Sequence, residues 1–307
     1  MSDHGIISGV GFCTGTGIGD LSVLEAALAR FVALRADVAE LSLYGEDLIA
    51  GGRVIGSRAQ RLAEICRRYP LRYTVHGQIV SNFMDEPHLP LQKAVVRAML
   101  ELCDRVGATV LVHHSGTAPA GRIADHTRYD TLEREALAEM AEVARGYGVR
   151  IALENIFAMS DAEYRQSPAE VAATVQAIGR PNLCALLDFS HAYIECTRRG
   201  LDWREQIRAM AAVAGHLHVH DSFGRPCTMT HFHHPCEATA LGIGDLHLPL
   251  GWGDIPWEEL FAELTFLPDT ALVLEITERY DAELPESLAL ARRLAARANV
   301  CGRVAAG

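Results

Sequence analysis

Hydrophobic positions along the chain fall into two alternating patterns. Short, nearly continuous apolar runs recur at 6–12, 37–43, 71–76, 109–114, 149–154, 183–188, 215–220 and 271–276. Runs of this length, rich in Val, Leu, Ile and Ala, suit strands buried on both faces of a parallel sheet. Between them, apolar residues return at helical spacing over 21–35, 57–69, 89–106, 131–147, 168–179, 203–213, 256–266 and 284–298. The stretch "SPAEVAATVQAIG" carries start and stop chemistry: Ser167 as an N-cap, Pro168 in the first turn, Gly179 at the end. Eight strand–helix units predict a single (β/α)8 TIM barrel over residues 1–307, in preference to a doubly wound sheet. The longest irregular segment, about 222–255, predicts a long loop over the barrel's C-terminal face.

Composition narrows the class of molecule. At 49% hydrophobic residues the chain has enough apolar surface for a large core, yet no apolar run reaches the length of about 18 residues expected of a membrane helix. The opening "MSDHGIISGV" lacks a basic region followed by an apolar stretch, so no secretory signal is expected and a cytoplasmic location is. Cysteines 13, 66, 103, 184, 196, 227, 236 and 301 form no C-x-x-C pair and read as reduced thiols. A net charge of −11 argues against a nucleic-acid partner, and bound divalent cations would soften that figure without making it basic. The sequence leaves monomer and homodimer open. "GTGIGD" at 15–20 lacks the Lys-Ser/Thr of a phosphate loop and reads as a turn.

In such a barrel the active site sits at the C-terminal ends of the strands. Those ends are polar here: Glu40 in "AELSLYGED", His76 in "RYTVHGQ", His113 and His114 in "VLVHHSG", Glu154 and Asn155 in "RIALENI", Asp188 and His191 in "ALLDFSH". The series continues with His216, His218, His220 and Asp221 in "HLHVHDS", Asp245 and His247 in "GDLHLPLGWGDI", and Glu275 in "LVLEITE". One such residue is unremarkable, since a polar strand end often caps the next helix. A ring of them is different: clustered carboxylates repel and are costly to bury without counter-charge. Mixed imidazole and carboxylate sets suit zinc, manganese or iron.

At these motifs the chain resembles the xylose isomerase-like TIM-barrel superfamily, which includes sugar phosphate isomerases and epimerases and AP endonuclease family 2. The pattern is most similar to the endonuclease IV-type, trinuclear-zinc branch, through "HHSG", "DFSH", "HVHDS" and "GDLHLPLGWGDI". The resemblance implies metal ligands at His76, His114, Glu154, Asp188, His191, His218, Asp245, His247 and Glu275. Glu154 would bridge two ions; His76 and His114 would complete the first, Asp188, His218 and Glu275 the second, and His191, Asp245 and His247 would hold a third. It further implies two or three Zn²⁺, with Mn²⁺ or iron as alternatives, and Glu154 and Glu275 as catalytic residues. Asn82, Asn155, His220 and Arg225 are candidates for contacting substrate, and Arg122 for clamping an anion.

So large a ligand set leads to an expectation of small-phosphoester hydrolysis with metal-bound hydroxide as nucleophile. The alternative is a sugar or sugar-phosphate isomerase or epimerase, for which Glu154, Asp188, His218 and Glu275 would suffice. The third is abasic-site cleavage of DNA. Against DNA stand the acidic strand-2 loop "LYGEDLIAGGR", Ile79 where that branch carries tyrosine, and the long 222–244 segment. A small anionic or sugar-like substrate is therefore expected.

Overall fold

Eight parallel strands close into a barrel in sequence order. They are β1 (Ile7–Cys13), β2 (Val38–Ser42), β3 (Arg72–His76), β4 (Val110–His114), β5 (Arg150–Glu154), β6 (Leu183–Asp188), β7 (Ala214–Val219) and β8 (Thr270–Leu274). Each lies within two residues of the run predicted for it. The computed structural model describes residues 6–121, 123–229 and 231–305, without the side chains of 123–125 and 301–305. Arg122 and the first residues of the chain lie outside the described set. The sequence-predicted (β/α)8 TIM barrel is the fold observed.

The helices are α1 (Ser22–Ala33), α2 (Gly56–Cys66), α3 (Leu89–Val106), α4 (Ile123–Gly146), α5 (Pro168–Ile178), α6 (Phe189–Arg199), α7 (Trp203–Ala211), α8 (Pro235–Leu241), α9 (Trp257–Glu263) and α10 (Leu284–Ala305). α5 begins and ends as its sequence requires. Ser167 and Glu170 form a reciprocal capping box, and Gly179 closes the helix at φ 60°. α4 starts eight residues before the predicted 131, because the polar stretch "DHTRYD" gives no apolar period to read. α6 was not predicted. It begins directly at the end of β6, with Asp188 as N-cap accepting a hydrogen bond from His191 N at 2.7 Å.

The strands' outer faces pack on the helices through a core that includes Phe12, Leu28, Leu62, Met99, Met140, Phe189 and Phe261. Each such fully buried side chain contributes on the order of 2 kcal/mol. The barrel interior is filled by smaller residues, Val110, Val112, Ala152, Cys184 and Leu186 on one side and Val38, Ala271 and Val273 on the other. Side chains alternate across a strand with period two. The interior stripes therefore continue upward into chemistry: Val110–Val112–His114, Ala152–Glu154, Cys184–Leu186–Asp188, Ala271–Val273–Glu275 and Val38–Glu40. Register sets these ends side by side, with His114 opposite Glu154 and Asp188 opposite His218. His113 has the opposite parity and packs against Phe83, ring centroids 4.4 Å apart.

The segment 222–255 is ordered around its two ends. Asp221 pairs with Leu248 across an antiparallel bridge, and its carboxylate accepts from Gly251 N at 2.8 Å and Trp257 Nε1 at 3.2 Å. α8 lies within the segment and touches Tyr280 through Thr239, 3.3 Å apart. Among the described residues, the seven cysteines whose side chains are seen are all free, and no helix is long and apolar enough to cross a membrane.

Candidate metal centre

Glu154 ends β5 with no exposed surface and stands among four imidazoles. Its Oε2 lies 3.6 Å from His76 Nε2 and 3.4 Å from His114 Nε2. Its Oε1 lies 3.2 Å from His191 Nδ1 and 3.4 Å from His218 Nδ1. His76 Nε2 and His114 Nε2 are themselves 3.3 Å apart. Glu275, one residue past β8, places Oε2 3.4 Å from His218 Nδ1 and 3.8 Å from His247 Nδ1. Asp188 lies beside them with Oδ1 3.7 Å from His191 Nδ1.

A second group adjoins the first. His191 Nε2 is 3.3 Å and His247 Nε2 2.7 Å from Asp245 Oδ2. His220 stacks on His247 at 4.1 Å and joins this group, with its Nδ1 3.9 Å from Asp245 Oδ1. Ligand-type atoms of His191, His220, Asp245 and His247 all lie within 4.8 Å of one another. His247 sits at φ 46°, a left-handed conformation. Two hydrogen bonds hold it there, from its Nδ1 to Glu275 O at 2.7 Å and from Thr277 N to its own carbonyl at 3.1 Å.

These residues fit a cation. Nitrogens and oxygens about 2.0–2.1 Å from a tetrahedral ion stand about 3.3 Å from one another, and the contacts around Glu154 run from 3.2 to 3.6 Å. Both Glu154 oxygens, His218 Nδ1, His220 Nδ1 and Asp245 Oδ1 are buried and make no hydrogen bond to the described protein atoms. Buried polar atoms without partners are costly unless something else satisfies them. Burial pushes the Glu154 carboxyl up, but His218 and His114 outweigh it and hold the group well below the usual carboxylate range. Burial takes His114 down to about 3, the neutral imidazole that a metal requires. At His76, His191, His218 and His247 burial is outweighed by the neighbouring carboxylates, which hold these rings toward the charged form, so a cation there would displace protons.

All nine residues singled out as ligands thus fall into one continuous cluster. Of the four proposed to touch substrate, three are engaged elsewhere in the fold. Asn82 donates to Thr117 O at 2.7 Å and accepts from Met84 N and Thr117 N, bracing the turn after His114. Gly116 in that turn leaves no room for a Cβ, which would lie 2.5 Å from Met84 and 2.8 Å from Asn82 Oδ1. Asn155 bonds the backbone of Asp188. Arg225 donates to Leu241 O within its own loop. His220 faces the centre, its Nε2 3.1 Å from Asp188 Oδ2.

Sequence reasoning placed Glu40 at a strand end but gave it no role. It lies beneath the cluster, with Oε1 2.7 Å from His218 Nε2, and Oε2 2.8 Å from His216 Nε2 and 2.9 Å from Thr74 Oγ1. The shared inward parity of Val38, Glu40, His216 and His218 was the available signal.

The fold is shared with several solved structures. One is described as a D-tagatose 3-epimerase-like protein, with a TM-score of 0.70 and 19% identity, covering 95% of this chain and 98% of that one. Another is L-ribulose 3-epimerase, with a TM-score of 0.65 and 16% identity over 97% and 98%. A third is the IolI protein with a binding zinc atom, with a TM-score of 0.66 and 16% identity over 93% and 96%. A search of curated protein sequences returns no match. These findings correct the expectation of phosphoester hydrolysis, because the structures that share this fold are described as an epimerase-like protein, a sugar epimerase and a zinc-bound protein, and none of the three as a phosphoesterase. Residues 29–296 match the family described as xylose isomerase-like TIM barrel, and the chain belongs to that family.

Proposed function

We propose that the chain is a divalent-metal-dependent sugar isomerase or epimerase, acting on a sugar or sugar phosphate. One observation carries this reading: Glu154 Oε1 and Glu275 Oε2 each stand 3.4 Å from His218 Nδ1, reaching it from β5 and from beyond β8. Two carboxylates that converge from different sides suit proton removal and return on opposite faces of one carbon. The resemblance in fold to a D-tagatose 3-epimerase-like protein and to L-ribulose 3-epimerase supports the same reaction class.

Glu154, Asp188, His218 and Glu275 would hold the principal cation, and their mixed donors suit Zn²⁺, Mn²⁺ or iron. When bound, such a cation polarises a carbonyl and so acidifies the neighbouring C–H. Glu154, held ionised, would take that proton, and Glu275, entering the turnover as the acid, would return one from the other side, so that Glu154 ends protonated, Glu275 ends ionised and the carbon is inverted. His191, His220, Asp245 and His247 would take a second cation. Beside Glu275 and His247 a cavity of about 670 Å³, walled by Phe12, Phe31 and Leu284, gives room for the rest of the substrate. The 222–255 segment would form the lid that keeps water from the site.

The test is deuterium exchange. Protein loaded with Mn²⁺ or Zn²⁺ is incubated in D₂O with ketopentoses, ketohexoses and their phosphates and followed by NMR. Deuterium should enter beside the carbonyl of at least one sugar as its epimer or isomer accumulates. A fully loaded protein that exchanges into none of the panel would sink the reading.

A further inference from the structure

His218 is held from both ends. Its Nε2 meets Glu40 Oε1 at 2.7 Å, and its Nδ1 points to Glu154 and Glu275 at 3.4 Å each. The first distance is that of a strong charge-assisted hydrogen bond; the other two are too long for good ones. A carboxylate only accepts, so the nitrogen facing Glu40 carries the proton. Nδ1, with no short hydrogen bond of its own, is the nitrogen left to give up a proton and turn a lone pair toward a cation between Glu154 and Glu275. Glu40 is braced in turn: Thr74 Oγ1 donates to its Oε2 at 2.9 Å, and His216 Nε2 stands 2.8 Å from the same oxygen. Glu40, His216 and His218 have no exposed surface, so water does not compete for any of these positions.

We propose that Glu40 is a positioning residue, which selects Nδ1 of His218 as the cation-binding nitrogen and adds a buried negative charge behind it. Thr74 keeps the carboxylate in place through its hydrogen bond, and His216 stands beside the same oxygen. Carboxylates behind metal-ligating histidines fix ring orientation and raise ligand basicity, and losing one typically weakens binding by about 10- to 100-fold. The inference rests on reading His218 as a cation ligand, but not on the reaction that the cation serves.

The experiment measures the cation alone, on the full chain. Mn²⁺ affinity is taken by calorimetry for wild type, Glu40→Gln and Thr74→Val. Glu40→Gln should weaken Mn²⁺ by at least about tenfold while the metal-free protein melts as wild type does. Thr74→Val should weaken it less. Nitrogen-15 NMR of His218 supplies a readout that a merely structural role would not move. In wild type, Nε2 should be protonated before Zn²⁺ is added, and Zn²⁺ should shift Nδ1. This second measurement needs no variant, so it decides the matter even where Glu40→Gln fails to fold. Glu40→Gln binding Mn²⁺ within twofold of wild type, or Zn²⁺ shifting Nε2, would overturn the proposal. Wild type binding neither cation would instead overturn the reading of the metal centre itself.

Discussion

Asn155 and Asp188 exchange a reciprocal pair of hydrogen bonds between the ends of β5 and β6. Asn155 Nδ2 donates to Asp188 O at 2.9 Å, and Asp188 N donates to Asn155 Oδ1 at 2.9 Å. The pair fixes the offset between Glu154 and Asp188, the residues on which the cluster turns. Asn155→Ala should leave the buried Asp188 N–H without a partner, at a cost of about 1–3 kcal/mol, and take from the Asp188 carbonyl its second donor, the first being the opening bond of α6. Asn155→Asp should cost more, because its carboxylate faces the Asp188 carbonyl with no proton to give. Urea unfolding of the three proteins checks the order, and Asn155→Asp matching wild type would refute it.

Much of this was legible in the sequence, for a physical reason. A strand's two-residue period carries an interior stripe from Val110 and Val112 to His114, so the last inward residue is visible without coordinates. The start of α6 was hidden because Asp188 has two tasks, ending a strand and capping the helix that follows. The partners of Asn155 and Glu40 were hidden because hydrogen bonds between strands distant in sequence leave no local pattern. The reaction was misread for a different reason. Nine candidate ligands speak to how cations would be held, whereas the chemistry depends on which groups meet the substrate and from which side.

Glu154 and His247 should differ sharply in a loss-of-function comparison. Glu154 contacts four imidazoles, while His247 contacts chiefly the second group and the main chain after β8. Glu154→Gln removes both the central charge and the proposed base, so exchange should fall by about 10²–10⁴-fold. His247→Ala should cost about tenfold or less. Initial rates of deuterium incorporation measure both, and equal mild losses would exclude a central role for Glu154.

Cation loading should stabilise the folded chain. Glu154, Asp188, Asp245 and Glu275 crowd one site, and a bound divalent ion offsets their repulsion. Binding to the native state alone adds about 2.7 kcal/mol when the free ion is at 100 times its Kd. Treatment with a chelator should therefore lower the melting temperature by several degrees, and Zn²⁺ or Mn²⁺ should restore it. The same treatment of His76→Ala/His191→Ala should give a much smaller difference. Melting curves of wild type that coincide with and without the ion would contradict this.

The last prediction concerns Glu133, which lies in α4 and is completely buried. Its Oε1 accepts from Gly116 N at 2.5 Å, in the turn after His114, and its Oε2 has no hydrogen-bond partner among the described protein atoms. Burial pushes this carboxyl up to about 7, against 4.5 for an ordinary glutamate; the Gly116 bond and Arg165 only partly counter it. The folded state therefore holds this proton more tightly than the unfolded chain does. Its contribution to stability is complete below about pH 4.5 and is lost as pH rises through about 7. A difference of that size amounts to about 3 kcal/mol. Glu133→Gln cannot ionise, and its amide keeps an acceptor for Gly116. It should match wild type near pH 4.5 and exceed it by up to about 3 kcal/mol at pH 8. Urea melts of the cation-free proteins across that range give the comparison. A gap between the two that stays constant with pH would show that Glu133 does not titrate there.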